Sequence, residues 1–562
     1  MLHKILVFLR NNKHLASLLS LTAFPLAFLC LNLLIFTYIQ SEHTVYYWDL
    51  ILYWHRYQQV APLLSHNILQ YLDAVRQSVA TDAYNNLPVI LLTPFYYVLG
   101  PGRPAYVIAV VLAYALPAYL VFFYLVDRLV PHHQKLSFNL RLLILFGLFF
   151  GLPDTLAPIL RGYLDVGALV FIFAGFYLYW RQTRHGALTF SWPVTFTLGT
   201  LLAWLALFRR YFLDFGLAFV LAAGLIELVL IVKKRRSPTT ALVFFTVLVA
   251  TMLGWLWLVS GRLFSTLFLT DYRALYAGYR ANFSLVQAAL DVVKNFGLLP
   301  TVLIICAFGF TWKHKPYRRI TGLALLTLII TTGLFWRIQS FEDHHYYLII
   351  GPILVVVALL LLHLCRSRWR LTVIPLFILF SVWNACQAFS PTLINYRFQV
   401  AGFPLFSGKY LPPLQRHDIA KLKQIVTWLQ INDAANGTIY VGASSPWFSD
   451  DILRNVCYEM YGFSGPLCRA VIGSAQVDSR DGYPLAMFAA RFIIITDPIQ
   501  YHLPPNKQRA VTYVSRFIQH NPQDYRLRRN VEIDQGIRVQ IYERTRWLGK
   551  AMINGWNDLN DW

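Results

Sequence analysis

Charge is what this chain has least of. Asp, Glu, Lys and Arg make up 14% of its 562 residues, where water-soluble chains carry about 25%. Acid is scarcer than base: 27 Asp and Glu stand against 49 Lys and Arg, a net of +22. The signatures of water-soluble enzymes are missing too. There is no Walker A sequence, no Gly-rich dinucleotide fingerprint, no zinc His/Cys set and no Ser nucleophile elbow. ATP-driven transport by this chain alone is thereby disfavoured. Cysteine numbers six and fits no metal-ligand spacing. Cys30, Cys306, Cys365 and Cys386 lie in or beside apolar runs and read as packing residues. Cys457 and Cys468 fall in the more polar final part, where a disulfide and two free thiols are both open readings. No internal repeat or low-complexity tract occurs.

What is present is apolar. Hydrophobic residues reach 57%, with a mean hydropathy of +0.49. Repeated apolar runs near 20 residues read as membrane-spanning helices. Eleven candidate spans emerge, at roughly 14–39, 104–126, 138–152, 165–180, 189–208, 212–232, 240–260, 297–312, 319–336, 346–364 and 371–390. The first is too long, and followed by too many others, to read as a cleaved signal peptide.

Loop charge sets the orientation. Residues 1–390 hold 30 Lys and Arg but 13 Asp and Glu. Of the basic residues, 19 lie in one alternating set of short connections, the KKRR of 233–236 among them. The other set holds ten of the 13 acids, and 10 of its 11 basic residues are Arg. The positive-inside rule puts the first set and the N-terminus in the cytoplasm, and the acidic loops and C-terminus outside. It also explains the net charge better than nucleic-acid binding does. The expected compartment is the cell inner (plasma) membrane.

Five outer loops follow. The first, residues 41–103, opens with YYWDLILYWHRY and suggests helices lying along the surface. Asp49 sits there in an aromatic collar with Arg56 and, further on, Tyr84. It reads either as an interfacial acid or as a catalytic base facing a membrane-delivered substrate. The second loop, PDTLAPILRGYLD, carries Asp154, Arg161 and Asp165. These acids either pair with arginines or act on substrate, and an acid near a helix N-terminus is favourable anyway. The third, FRRYF, puts Arg209 and Arg210 at the membrane edge. Two arginines there run against the positive-inside bias, and their planar forks suit a lipid-linked phosphate; headgroup anchoring is the plainer reading. The fourth, 261–296, is rich in Tyr and Arg. The fifth, WRIQSFEDHHYY, concentrates His344 and His345. Its EDHH run is too compact for all four side chains to reach one metal ion, so hydrogen bonding to a phosphate fits better. Ion-coupled transport places ionisable groups at mid-membrane, whereas these gather at one face.

Beyond residue 391 the composition changes through a Pro-rich segment, FPLFSGKYLPPLQRHD. A helix near 416–430, a strand TIYVGAS, a helix near 449–460, a strand RFIIITD, a helix near 507–519 and two final strands predict an α/β domain of about 150 residues. The expected division is a membrane domain over 1–390 and an extracytoplasmic α/β domain over 391–562.

In arrangement, these features resemble the GT-C superfamily of integral-membrane glycosyltransferases, its protein O-mannosyltransferase and lipid A aminoarabinose transferase branches above all. The matching points are the acid after the first span (YYWDL), the long first loop with a Pro-rich exit (LPVILLTPFYYVLGPGRP), the short acidic second loop, the EDHHYYLIIGP run before a late span and the closing soluble domain. The Asp-Glu pair of O-mannosyltransferases is Asp-Leu here, and the Asp-x-Asp element of oligosaccharyltransferases is missing. The resemblance implies an inverting transfer of a sugar from a polyprenyl-phosphate donor to an acceptor hydroxyl. It implies catalytic roles for Asp49, as general base, and Asp154. Arg56, Tyr84, Arg161, Asp165, Arg209, Arg210, His344 and His345 are the expected substrate contacts. No cofactor is expected; a divalent metal is optional, because phosphate is already a good leaving group. The expected partners are the lipid-linked donor, a glycan, lipid or protein acceptor, and membrane lipids, with no nucleic acid. A carrier or flippase for lipid-linked glycans and a non-catalytic scaffold are the competing classes.

Overall fold

The structure, a computed structural model, describes residues 13–82, 84–131, 136–184, 188–233, 237–279, 284–474 and 476–546. Lys4, Arg10, Lys135, Arg280 and residues 234–236 of the basic run, used above for orientation, lie outside them. The chain folds as a polytopic helical bundle followed by a smaller α/β unit. Among the described residues, seven helices are long and apolar enough to cross a membrane, or nine if two bent pairs each count as one span. The expected eleven are therefore not confirmed. The difference lies in chain breaks and length, which hydropathy does not see. Phe138–Phe150 meets Pro153–Leu160 at 64°, and Ala289–Phe296 meets Leu298–Lys313 at 113°. Ala168–Thr183 and Trp192–Phe208, with 16 and 17 residues, are each short of a full span.

One helix anchors the bundle. Tyr347–Arg366 is apolar all round and nearly every residue of it is buried, the pattern of a helix surrounded by others. The EDHH run leads directly into it. His344 and His345 are therefore carried on the central post of the bundle, which explains their burial. The first loop lies across one end of the bundle as helices Asp49–Val60 and Ile68–Thr81.

The C-terminal unit holds strands β1 (Ile439–Gly442), β2 (Val471–Gly473), β3 (Phe492–Asp497), β4 (Tyr525–Glu532) and β5 (Arg538–Arg544). Their order is β2-β1-β3-β5-β4, with β1 parallel to β2 and β3, and β5 antiparallel to β3 and β4. β1 and β3 are buried on both faces, as their unbroken apolar runs require. Alternate residues serve two cores. Ile439, Val441 and Ile494 face helices Ile419–Ile431 and Asp450–Tyr461. Tyr440, Ile493 and Ile495 face helix Arg509–His520. β2, a three-residue edge strand, was too short to stand out in the sequence. Cys457 and Cys468 form a disulfide across 11 positions.

A strap joins the two parts. Residues 403–418 run back along the loop-bearing end of the bundle. Lys409 bridges Asp343 at 2.6 Å and Asp154 at 3.6 Å. Arg161 donates to Glu42 at 2.8 Å and to the Pro412 carbonyl at 3.0 Å. Gly297, at φ 88°, passes so close to the strap that a Cβ would lie 1.8 Å from the Phe406 carbonyl oxygen; only glycine fits there.

Candidate active site

All five loops that carry the acidic and Arg-rich set and the C-terminal unit meet around one cavity of about 1410 Å³. Asp49, Tyr84, Arg161, Arg209, Arg210, His344 and His345 line it; Arg56, Asp154 and Asp165 do not.

Asp49 begins the surface helix Asp49–Val60, and its side chain is 30% exposed. The Tyr84 hydroxyl donates to its Oδ2 at 3.2 Å, and an Arg209 Nη2 lies 3.9 Å from the same oxygen. Among the described residues Oδ1 accepts no hydrogen bond, so one oxygen is held and the other is free. Burial raises the Asp49 pKa above the usual carboxylate range, and Arg209 pulls against that shift. Burial, then Asp49, likewise pushes the Tyr84 hydroxyl well up, so it stays protonated as a donor.

Arg209 is the hub. Its Nε lies 3.2 Å from Asp165 Oδ1, and Asp165 is fully buried. Its guanidinium packs over Tyr84 at 4.6 Å, Tyr53 at 5.3 Å and Tyr211 at 5.6 Å. Tyr211 donates its hydroxyl proton to Asp165. Asp165 thus fixes the arginine from behind, while Nη1 is buried with no partner among the described residues. A buried charged donor without an acceptor is costly.

His344 stacks on Tyr163 at 4.4 Å, and its Nδ1 also lacks a partner. His345 is instead tied to its own loop: its Nδ1 accepts from the Glu342 backbone N–H at 3.1 Å. Arg210 donates to the Tyr276 hydroxyl at 2.7 Å and packs over Tyr272. Among the described residues no three His, Cys, Asp or Glu side chains gather as metal ligands, the EDHH run included.

The remaining candidates hold the frame. Arg56 donates to Asn86 at 2.6 Å and pairs with Asp82 at 3.3 Å, tying the first loop to itself. Asp154 is buried with Asn295 and Lys409 and secures the strap. Three residues outside the sequence-derived set matter to the geometry. Arg103 donates to the Leu50 carbonyl at 2.7 Å and the Arg161 carbonyl at 2.6 Å, joining the first two loops. It needs Gly162, at φ 82°, where a Cβ would lie 2.5 Å from its Nη2. Tyr211 stands beside the paired arginines in FRRYF, and that adjacency was its only signal. Lys409 had none, because its partners lie 66 and more positions away.

No protein-family model matches the chain, and no curated protein does. Solved structures similar to it include two of one protein. One is the crystal structure of ArnT from Cupriavidus metallidurans bound to undecaprenyl phosphate, at 13% identity and a TM-score of 0.43, covering 80% of this chain and 74% of that one. The other is ArnT from Cupriavidus metallidurans in the apo state, at 15% identity and a TM-score of 0.42, covering 80% and 77%. At these values the likeness assigns no residue and no substrate.

Proposed function

We propose that this chain is a membrane glycosyltransferase that moves a sugar from a polyprenyl-phosphate donor to an acceptor hydroxyl at the outer face of the plasma membrane. The observation that carries this reading is the pairing of a half-free carboxylate, Asp49, with a buried, half-satisfied guanidinium, Arg209, 3.9 Å apart on one cavity wall. The chemistry needs both. A base must take the acceptor proton as the acceptor oxygen attacks the anomeric carbon. A fixed positive charge must receive the leaving phosphate as the C–O bond to it breaks.

In this reading Asp49 Oδ1 accepts the proton, and Tyr84 holds Oδ2 so that Oδ1 faces the acceptor. The electron pair of the broken bond passes to the phosphate, which is held by the Arg209 guanidinium with Arg210 and His344 nearby. Attack opposite the leaving phosphate inverts the anomeric centre. Asp165 and Tyr211 act as positioning residues through Arg209. Asp154 positions through Lys409 rather than by touching substrate, and Arg56 keeps the first loop in shape. A donor confined to the membrane needs only to be oriented at this rim.

The test is twofold. Native mass spectrometry of the purified chain should detect bound undecaprenyl phosphate, with at least tenfold weaker binding in Arg209→Ala. Sugar transfer from lipid-linked donors extracted from membranes should disappear in Asp49→Asn. Transport of intact lipid-linked sugar into vesicle interiors, with no covalent product, would overturn the enzyme reading in favour of a carrier.

A further inference from the structure

The C-terminal unit does more than close the cavity. Its parallel strands β1, β2 and β3 lead into three connections, whose described residues are 443–449, 474, 476–481 and 498–508. The chain leaves β1 toward β2 on one side and returns to β3 on the other. Such a reversal opens a crevice outside the carboxyl ends of the strands, where open α/β sheets take their ligands. All three loops line the Asp49 cavity, through Pro446, Arg480 and His502 among others. The crevice of the sheet and the cavity of the bundle are one space.

The polar groups of this wall are fixed. Gln508 is fully buried, and its Oε1 accepts from the backbone N–H groups of His502 and Leu503, both at 2.9 Å. Its Nε2 must therefore donate, to the Gln476 carbonyl and to His502 Nδ1, each at 2.9 Å. Ser444 Oγ shares that nitrogen at 2.8 Å. With Nδ1 accepting, the proton of His502 sits on Nε2, 3.0 Å from the Tyr279 hydroxyl oxygen. The Tyr279 proton is left to point elsewhere. Trp48, the residue before Asp49, packs its ring 5.0 Å from His502, and its indole Nε1 is buried with no partner among the described residues. Its backbone sits at φ 48°, rare for a bulky residue, and Asp451 of the C-terminal unit accepts its N–H. The same unit thus shapes this wall and sets the carboxylate next to it.

We propose that this wall is the acceptor subsite of the cavity and that it takes an uncharged glycan, seated against the contiguous rings of Trp48, His502 and Tyr279. Flat aromatic faces match the C–H face of a pyranose, and the Tyr279 hydroxyl proton, left over by His502, matches one of its hydroxyls. The cation that the C-terminal unit brings to this wall, Arg480, pairs with Asp481 at 2.6 Å, so a neutral ligand suits this wall better than an anionic one. The word acceptor rests on the glycosyltransferase reading; glycan binding does not.

The test uses the full chain in nanodiscs, which contain no sugar. Saturation-transfer NMR is run with methyl and octyl glycosides of glucose, galactose, mannose and N-acetylglucosamine, beside undecaprenyl phosphate binding by native mass spectrometry. At least one glycoside should receive saturation from the wild type. His502→Ala and Tyr279→Phe should weaken that binding about five- to tenfold, as loss of one or two neutral hydrogen bonds does, and leave undecaprenyl phosphate binding unchanged. Tyr279→Phe removes a single oxygen and guards against a misfolded loop. Tighter binding of octyl than methyl glycosides identifies a lipid-borne glycan, and equal binding a free one. No saturation of any glycoside, or variants that bind as the wild type does, would overturn the proposal. Loss of undecaprenyl phosphate binding in the wild type would instead strike the donor reading alone.

Discussion

Arg209 holds two carboxylates, and their difference makes opposite predictions for two isosteric changes. Asp165 lies 3.2 Å from the guanidinium and is fully buried; Asp49 lies 3.9 Å away with its side chain 30% exposed. Asp49→Asn keeps the shape and leaves Arg209 its closer partner, so stability should change by less than about 1 kcal/mol, the range of partly exposed pairs. Turnover should fall about 10²- to 10⁴-fold, the usual worth of a general base, which is about 3–5 kcal/mol of barrier. Asp165→Asn leaves a buried guanidinium against one distant acid. It should cost about 3 kcal/mol or more in stability, the low end for breaking a buried pair, with activity falling as folded protein is lost. The assay pairs transfer kinetics in proteoliposomes with reversible unfolding in mixed micelles. Asp49→Asn retaining more than a tenth of wild-type turnover, or Asp165→Asn folding as stably as the wild type, would refute the assignment of chemistry to one acid and support to the other.

Lys409→Met should destabilise the chain by about 3–5 kcal/mol, because it strands the buried Asp154; adding Asp154→Asn should recover most of that loss in the same unfolding assay. Burial lowers the His502 pKa to about 4. An unfolded histidine takes up a proton near pH 6.5, so stability should be full above about 6.5 and decline as pH falls toward 4; hydrogen exchange of residues 498–508 should report this, and His502→Asn should remove it. Because burial raises the Asp49 pKa, transfer should rise with pH through a midpoint above the usual carboxylate range, measured as kcat/KM against pH. Replacing Cys457 and Cys468 by Ala should cost about 2–3 kcal/mol, from the entropy of the 11-position loop they close.

The sequence by itself determined the class of fold and the face on which chemistry could gather. Apolar runs with few charges can only be satisfied as buried or lipid-facing helices, and the alternation of basic and acidic loops sorts them onto two faces. That sorting brought Asp49, Arg209, Arg210 and His344 into one group without any contact being known. The strands of the C-terminal unit were legible for the same reason: β1 and β3 are continuous apolar runs because they are buried on both sides.

Only the tertiary structure decided which partners each acid has. Asp49, Asp154 and Asp165 look alike along the chain, each an acid beside an apolar run. Whether such a group is free or paired depends on partners far away in sequence, Tyr84 and Arg209 for Asp49, Lys409 for Asp154, Arg209 and Tyr211 for Asp165. The role of the C-terminal unit was hidden in the same way. The loops 443–449, 474–481 and 498–508 carry no motif. They line one cavity, with His502 against Trp48, because the sheet order reverses at β1. Hydropathy is a local property, readable residue by residue; charge pairing and strand order are settled by contacts between distant parts of the chain.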